Sequence, residues 1–515
     1  MAPSDEESYR QLISSDGFAT TDVAELLRRL GCLIDLSEQL KHPEGIDRAL
    51  TVGTDLSKQP LRSAQSALLH YFSANAWSHR WQLKGGDHAS WEQRELEREI
   101  LELRLAAGLA ETLPKIRRCQ IFTNLGNALS RVGRFIEAIQ SYDRALAIDS
   151  EFGRAVGNRA IELTWYARLA PQRHDRIVLF QESYAELQRV RLLKMEGHAR
   201  TAFVEHQLMV ERLVPSEVLQ RRHDLGKGKL GRSREERTYR QWSLKHRLFL
   251  HPVNDIGPFP SAATDPISLS GVRTPLDKGP NLLGLFNQLK QEFVSARYML
   301  FASTQRNGVH FADRGVLLTD TLDYPSYSFA TEQLKASFRI AYSLLDKIGF
   351  FLNDYLALGI GERNVTFRTL WYTEKKALRL GLQSLQNFPL RALFWLAKDL
   401  DEKDSSGLAA ALEPDARQLA HIRNHLEHKY LKLHLPDWQG PPPDNAFARL
   451  LTDTLALSMG RNDFSAKAIR LLQLARAALV YLACAVRVHE GQKAKHDPEK
   501  VAIMELPTCE DRWKH

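Results

Sequence analysis

The chain has 515 residues, enough for two to four domains that each bury a core of their own. Its content of 43% hydrophobic and 26% charged residues is typical of globular proteins and excludes collagen-like, mucin-like and globally disordered classes. The formal net charge is +8, and one basic segment described below carries most of this excess.

No segment predicts a membrane span or a secretory leader. The longest uninterrupted apolar run, 477–486, is half the length of about 20 residues that a span requires. The N-terminus is acidic and has no apolar stretch behind it. The four cysteines are far apart and include no C-x-x-C pair, which is typical of reduced thiols. We therefore expect a cytoplasmic protein without disulfides, membrane contact or cysteine-bound zinc.

Apolar residues recur at helical spacing through the first two hundred residues. In the first sixty residues only 22–40 shows this spacing clearly. Further helices are predicted at 63–81, 91–110, 119–132, 135–147, 152–167 and 176–195. We interpret 1–60 as an N-terminal helical extension and 61–212 as a helical repeat domain.

The segment 119–150 resembles one unit of the tetratricopeptide repeat (TPR), in which small residues let two helices approach and aromatic rings fill the gaps. Counted from Cys119, the matching residues are Leu125 and Gly126 at positions seven and eight, Ala138 at 20, Tyr142 at 24 and Ala145 at 27. The resemblance implies a solenoid surface for a regulatory protein or peptide. A generic array of helical hairpins is the alternative.

Residues 213–283 break the helical pattern. Between 221 and 247, ten Lys or Arg residues stand against three acidic ones, and prolines follow from 252 to 280. We predict a basic linker or junction with a short ordered piece at 239–254. A solvated linker and an RNA clamp both fit this charge. The candidate RNA-binding residues are Arg221, Arg222, Lys227, Lys229 and Arg232.

The helical pattern resumes near residue 281. Helices are predicted at 282–303, 329–358, 367–386, 390–400, 415–433, 446–459 and 466–489. Long helices with short connections favour a helical bundle, which we place at 284–490 with a C-terminal tail at 491–515. The predicted fold class is therefore all-α, a repeat domain followed by a bundle.

The helix predicted at 415–433 carries the residues best suited to chemistry. Its predicted core stripe, within about 60° of arc, consists of Leu419, Ile422, Leu426, Tyr430 and Leu433. His428 points away from this stripe, with Asn424 one turn before it and Arg423 at the margin. An arginine, an amide and an imidazole therefore lie outside the core within about 7.5 Å of helix rise.

The pattern Arg423-Asn424-x-x-x-His428 resembles the R-x4-6-H motif of the HEPN (higher eukaryote and prokaryote nucleotide-binding) superfamily, which includes many metal-independent ribonucleases. The spacing occurs five times in the chain, but only Arg423 is followed by asparagine. The junction at 239–255 and the segment 291–298 also look like a TPR-fused bacterial HEPN family. The whole resemblance covers roughly residues 60–490.

The resemblance implies an endoribonuclease without cofactor or metal, whose two sites face each other across a homodimer and leave a 2′,3′-cyclic phosphate. His428 would act as base or acid, because histidine titrates near neutral pH. Arg423 would stabilise the charge of the transition state, and Asn424 would hold the ring or the phosphate. His425, Glu427 and Tyr430 would support the site, and Tyr430 is also a candidate for adenylylation. The implied biology is antiphage defence or toxicity.

Other interpretations stay open. Arg423 and Glu427 are four residues apart, as in an ordinary surface ion pair. His421, His425 and His428 share one helix face and could suggest zinc, although no H-E-x-x-H or cysteine completes such a site. The whole chain could be a non-catalytic TPR/HEPN scaffold or nucleotide-binding interaction protein, or a TPR adaptor with an unrelated bundle.

Overall fold

The computed structural model describes residues 4–87, 89–195, 197–269, 271–272, 279–305, 308–375, 377–400, 416–434, 453–496, 508–509 and 511–513. Helices dominate this part of the chain, and the predicted all-α class is confirmed. Two short strands are the other regular elements that it contains.

The elements follow one another from a helical N-terminal half to a helical C-terminal half. The first half contains α1 (Asp5–Ile13), α2 (Val23–Gln39), α3 (Pro43–Leu56), α4 (Ser63–Leu83), α5 (Arg94–Gly108), α6 (Lys115–Arg131), α7 (Phe135–Ile148), α8 (Gly153–Leu169), α9 (Arg173–Val190), α10 (Gly197–Leu213) and α11 (Ser216–Gln220). The second contains α12 (Arg234–Lys245), α13 (Val253–Ile256), α14 (Asn281–Gln305), α15 (Phe329–Tyr355), α16 (Leu380–Gln383), α17 (Phe388–Asp399), α18 (Ala416–His428), β1 (Tyr430–His434), β2 (Ala456–Gly460) and α19 (Arg461–His496).

The helix predicted at 22–40 is confirmed as α2, but the sequence did not predict α1 and α3 on either side of it. The side chain of Ser4 accepts a hydrogen bond from the Glu7 amide at 3.2 Å, and the Glu7 carboxylate accepts from the Ser4 amide at 2.8 Å. This capping box fixes the start of α1. Helix α3 contains two glycines, which dilute its apolar pattern. The three helices share a separate apolar cluster with α4.

Helical hairpins make up the predicted repeat region, with α4 packed on α5, α6 on α7 and α8 on α9. Gly126 of α6 faces the ring of Tyr142, and a Cβ at this glycine would lie 2.4 Å from that ring. A larger residue would push the two helices apart. The hairpin geometry agrees with the predicted spacing of small and aromatic residues, and the assignment to the TPR family stays a prediction.

The segment predicted as a linker joins the core from residue 243 onward. Its buried apolar residues include Leu248, Phe249 and Ile267. Arg476 of α19 donates to the Asp255 carboxylate at 2.6 and 2.9 Å, and both side chains are almost fully buried. The short ordered piece predicted at 239–254 is therefore confirmed, whereas a solvated linker is wrong for 255–269, which packs against helices distant in the sequence.

The C-terminal half is built around α19, which packs against α14, α15 and α17. By length and composition α19 is the one candidate for a membrane span in the described chain, with a mean hydropathy of 1.6 over its most apolar window. The protein itself buries 83% of that window, as expected of a core helix.

Three of the helices predicted in this half are wrong in whole or in part. The described residues of 367–386 form turns around the buried Trp371 and one short helix, α16. Residues 430–434 and 456–460 form β1 and β2, which pair in parallel with Tyr430 opposite Ala456. Residues 446–452 lie outside the described residues. Strand pairing joins segments distant in sequence, so a helical spacing of apolar residues could not reveal it.

The two halves share one continuous apolar core that runs from α4 to α19. A buried ion cluster crosses the same boundary. Asp399 of α17 accepts from Arg104 of α5 at 2.8 and 3.0 Å and also from Arg134, just before α7. The predicted domain boundaries stay a prediction, but the halves are packed against each other as one body.

Candidate active site

Helix α18 packs on the core through the first three residues of its predicted apolar stripe. Leu419 and Ile422 are fully buried and Leu426 is 5% exposed, as the spacing predicts. The helix ends at His428, and the chain enters β1 two residues later. Tyr430 and Leu433 therefore belong to a strand, and their placement on the helix stripe is wrong.

Arg423 lies half-buried between α18 and α15. Its Nη1 donates to Asn424 Oδ1 at 3.1 Å, and its guanidinium carbon lies 5.6 Å from the ring centroid of Tyr342. A guanidinium above an aromatic face is held by cation–π attraction. Among the residues that the structure describes, no carboxylate forms an ion pair with Arg423. Its charge is therefore available to an anionic ligand.

His428 is the last residue of α18 and is exposed to solvent. Asn424, half-buried, lies one turn before it on the same face of the helix. The structure thus brings the imidazole, the amide and the guanidinium to one end of one helix, as the motif predicts.

His425 has a different environment from His428. It is 9% exposed, and its Nδ1 donates to the backbone oxygen of His421 at 2.9 Å. The rings of His421 and His425 pack edge to face with centroids 4.3 Å apart. Within the described ranges, no group of three His, Cys, Asp or Glu residues is placed to hold a metal ion.

Glu427 faces α15 and is partly exposed. Its Oε1 lies 3.9 Å from Nε of Arg339, and Arg339 also donates to the carbonyl of Leu426 at 2.5 Å. Arg423 bonds to Asn424 instead, so the alternative of an Arg423–Glu427 surface pair does not describe the structure. Arg339 satisfies a carbonyl at the end of α18, a role that the sequence did not reveal.

Tyr430 is 41% exposed, and its hydroxyl donates to the Asp453 carboxylate just before β2. Its predicted place in the core is therefore wrong, because β1 turns this side chain outward.

Lys432 is 3% exposed and lies 2.7 Å from Asp323 and 3.0 Å from Asp453. Burial by itself would raise the pKa of Asp323, but the ammonium of Lys432 and the hydroxyl of Thr321 hold it below its ordinary value. This buried ion cluster ties β1 to the loop before α15, and sequence reasoning missed it.

The candidate RNA-binding residues of the basic segment are exposed in every case. Arg222 pairs with Glu182 of α9 at 3.1 Å, and Lys227 pairs with Asp224 at 3.6 Å. The partners of these two residues thus lie on α9 and within the segment itself. Arg221, Lys229 and Arg232 complete the exposed set.

Residues 273–489 match the model of the family described as LA2681-like HEPN. The matched range includes Arg423, Asn424 and His428, together with both strands and most of α19. A comparison with curated proteins finds no match.

Proposed function

We propose that this protein, whose C-terminal part belongs to the HEPN superfamily, is a metal-independent endoribonuclease. The superfamily includes ribonucleases, so a nuclease is the activity class that membership supports. One observation supports the more specific proposal of an endoribonuclease. Arg423, Asn424 and His428 share the end of α18, where the imidazole is exposed and the guanidinium forms no ion pair with a carboxylate of the described ranges.

The chemistry requires a base, an acid and a fixed positive charge. His428 takes the proton of a 2′-hydroxyl, whose oxygen attacks the adjacent phosphorus. The bond from phosphorus to the 5′ oxygen breaks, and the same histidine of a second copy supplies the proton of the leaving 5′-hydroxyl. A 2′,3′-cyclic phosphate remains on the other fragment.

Arg423 stabilises the negative charge that builds up on the phosphoryl oxygens. Its contacts with Tyr342 and Asn424 orient the guanidinium before the substrate arrives, so little reorganisation is needed in the transition state. Removing a donor of this kind typically lowers the rate by about 10²–10³-fold.

We propose that the protein acts as a cytoplasmic homodimer in antiphage defence or as a toxin, and that its repeat half regulates it.

The test is incubation of the purified protein with total RNA in EDTA. We expect the wild type to cleave, leaving cyclic-phosphate and 5′-hydroxyl ends. Arg423→Ala and His428→Ala should lose at least about 10²-fold in rate. Arg423→Lys should also lose most activity, because an ammonium cannot reproduce the planar guanidinium above Tyr342.

Arg363→Ala is a suitable control, because Arg363 is an exposed arginine on a short turn outside this cluster. Circular dichroism and thermal unfolding should be unchanged in all four variants. Full activity of His428→Ala in a clean preparation would contradict the proposal. Absence of cleavage by every protein, with and without added partners, would favour the non-catalytic scaffold.

A further inference from the structure

The N-terminal half contains a large open groove. Its volume is about 1230 Å³, and its walls come mainly from α4, α6 and α8, the first helices of the three hairpins. The groove lies in the repeat half, outside the part of the chain that matches the HEPN family. Its chemistry is therefore separate from that of α18.

A row of asparagines runs along the groove. Asn124 of α6 donates to Asn75 of α4 at 3.1 Å, and Asn158 of α8 donates to Asn127 of α6 at 2.8 Å. The hydroxyl of Tyr142 donates to the same Asn127 oxygen at 2.9 Å. Each amide has two N–H donors and one acceptor, so these bonds fix the amides and leave part of their capacity for a ligand.

Two buried carboxylates line the floor of the groove. Glu162 of α8 is 2% exposed; its Oε2 accepts from the Ser130 hydroxyl at 2.5 Å, and its Oε1 has no partner. Glu99 of α5 is equally buried, with one oxygen paired to Arg131 and the other without a partner. Buried polar atoms normally have hydrogen-bond partners, so these two oxygens require an explanation.

Arg131, a cation that lines the groove, is already paired with a carboxylate. Arg131 pairs with Glu99, and its guanidinium carbon lies 5.3 Å from the ring centroid of Trp81. Burial raises the pKa of Glu162 to about 7, with only the Ser130 hydroxyl opposing this shift. No fixed positive charge therefore compensates Glu162 in the structure described.

We propose that the groove binds a partner polypeptide in extended form and takes one of its basic side chains onto Glu162. The ammonium or guanidinium donates to the free oxygen of Glu162, while the asparagines bond to the backbone of the peptide. A polyamine carries the same cationic chemistry without a peptide backbone. The inference rests on the proposed regulatory role of the repeat half and names the class of its partner.

Binding is measured by calorimetry on the full-length His428→Ala protein, which removes RNA cleavage from the experiment. The probes are a blocked seven-residue peptide with a central arginine among alanines, the same peptide with citrulline in place of arginine, and spermidine. We expect the arginine peptide to bind at least about tenfold more tightly than the citrulline peptide, in line with a charge-assisted hydrogen bond. Glu162→Gln should abolish this preference.

Glu217→Gln is the matched control, because Glu217 is exposed on α11 outside the groove. It should leave binding unchanged. Asn127→Ala should weaken both peptides without changing the preference for arginine. Equal binding of the two peptides, or no binding of either at the solubility limit, would overturn the inference.

Binding of spermidine alone, lost in Glu162→Gln, would also overturn the peptide assignment and identify the groove as a polyamine site. None of these results depends on ribonuclease activity. RNA cleavage by the wild-type protein in EDTA is a separate measurement, so failure of this inference and failure of the proposed nuclease function can be told apart.

Discussion

Arg423 differs by its partners from the buried arginines Arg297 and Arg476. Arg297 and Arg476 are 2% and 1% exposed, and each donates to a carboxylate that neutralises it. Arg423 has an aromatic face and an amide instead. Such a guanidinium keeps its charge for a phosphate, as the proposed role of Arg423 requires.

The local motif predicts these residues because they lie within six positions of one helix. Tyr342 could not be predicted in the same way, since it lies 81 positions before Arg423 and reaches it only through the packing of α15 on α18. Arg339 was missed for the same reason. Local spacing thus identifies the candidate side chains of the motif, while the side chains that contact them depend on tertiary packing.

Glu162 makes the stability of the protein depend on pH. Burial raises its pKa from 4.5 to about 7. Between these values the folded state keeps a proton that the unfolded chain has released, so stability falls as pH rises through this window and levels off above it. The groups facing this carboxyl are the hydroxyls of Ser130 and Tyr142 and, more distantly, Arg131.

We expect Glu162→Gln to remove part of this dependence. Between pH 5 and pH 8 the wild type should lose up to about 3 kcal/mol more unfolding free energy than the variant. Urea unfolding at the two pH values measures this difference. Glu186, with its pKa raised to about 7 by burial, contributes in the same direction in both proteins. Glu217→Gln serves as the control, and identical pH dependence of all three proteins would contradict the prediction.

At the scale of elements, β1 is held by an ion cluster as well as by its pairing with β2. Lys432 lies between Asp323 and Asp453, whose side chains are 14% and 18% exposed. Lys432→Met fills a similar volume but leaves the two carboxylates without their shared cation. Because these carboxylates retain some solvent, we expect a loss of about 2 kcal/mol of unfolding free energy, below the usual range for fully buried pairs.

Thermal and urea unfolding test this expectation. Lys429→Met is the matched control, because Lys429 is exposed in the bend just before β1. It should change stability by less than about 0.5 kcal/mol. Equal stability of Lys432→Met and the wild type would show that the ion cluster adds nothing to the pairing of the two strands.

The basic segment is the element with the clearest electrostatic prediction. Arg221, Lys227, Lys229 and Arg232 are exposed and lie within twelve positions of one another. Replacing all four with glutamine should reduce the slope of log affinity against log salt by about 0.7 for each phosphate of single-stranded RNA that these side chains neutralise. Filter binding of RNA to the His428→Ala protein, from low to physiological salt, measures the slope. An unchanged slope would identify the segment as a solvated surface.

Prediction of whole elements succeeded where apolar spacing was long and regular. Helices α4 to α8, α14 and α15 lie where the sequence places them, with shifts of up to four residues at their ends, and α19 is longer than predicted at both ends. It failed at 367–386 and at both strands. The two strands are short and pair with each other across the chain, and residues 367–386 are arranged around the buried ring of Trp371.

At the scale of the whole molecule, Asp399 connects the two halves. It is fully buried and accepts from Arg104 and Arg134 across their boundary. Asp399→Asn keeps the shape of the side chain but removes its negative charge. The two buried guanidinium groups then lose the carboxylate that they share. We expect a loss of about 3 kcal/mol of unfolding free energy, since breaking a buried ion pair typically costs about 3–5 kcal/mol.

The measurement is thermal unfolding of full-length protein carrying His428→Ala. Asp354→Asn provides the control, because Asp354 is an exposed aspartate near the end of α15. The midpoint of Asp399→Asn should fall clearly below that of the control. Coincident midpoints would mean that the boundary is held by its apolar contacts alone.

The order of the two halves along the chain could be predicted from the sequence, but their packing against each other could not. The basic, proline-containing composition of 213–283 suggested a tether, and its partners Arg297 and Arg476 are ordinary helix residues when considered alone. Their pairing with Asp265 and Asp255 depends on the assembled fold.

The core shared by both halves has a consequence for proteolysis. The exposed stretch at 221–237 is rich in lysine and arginine and is open to trypsin. A cut there divides the polypeptide, yet the apolar residues on either side stay packed against each other. The nicked protein should run as two bands under denaturing conditions and as one particle in a native gel. Scission of the chain would therefore leave the two pieces associated, and the C-terminal piece that carries Arg423 and His428 would not diffuse away.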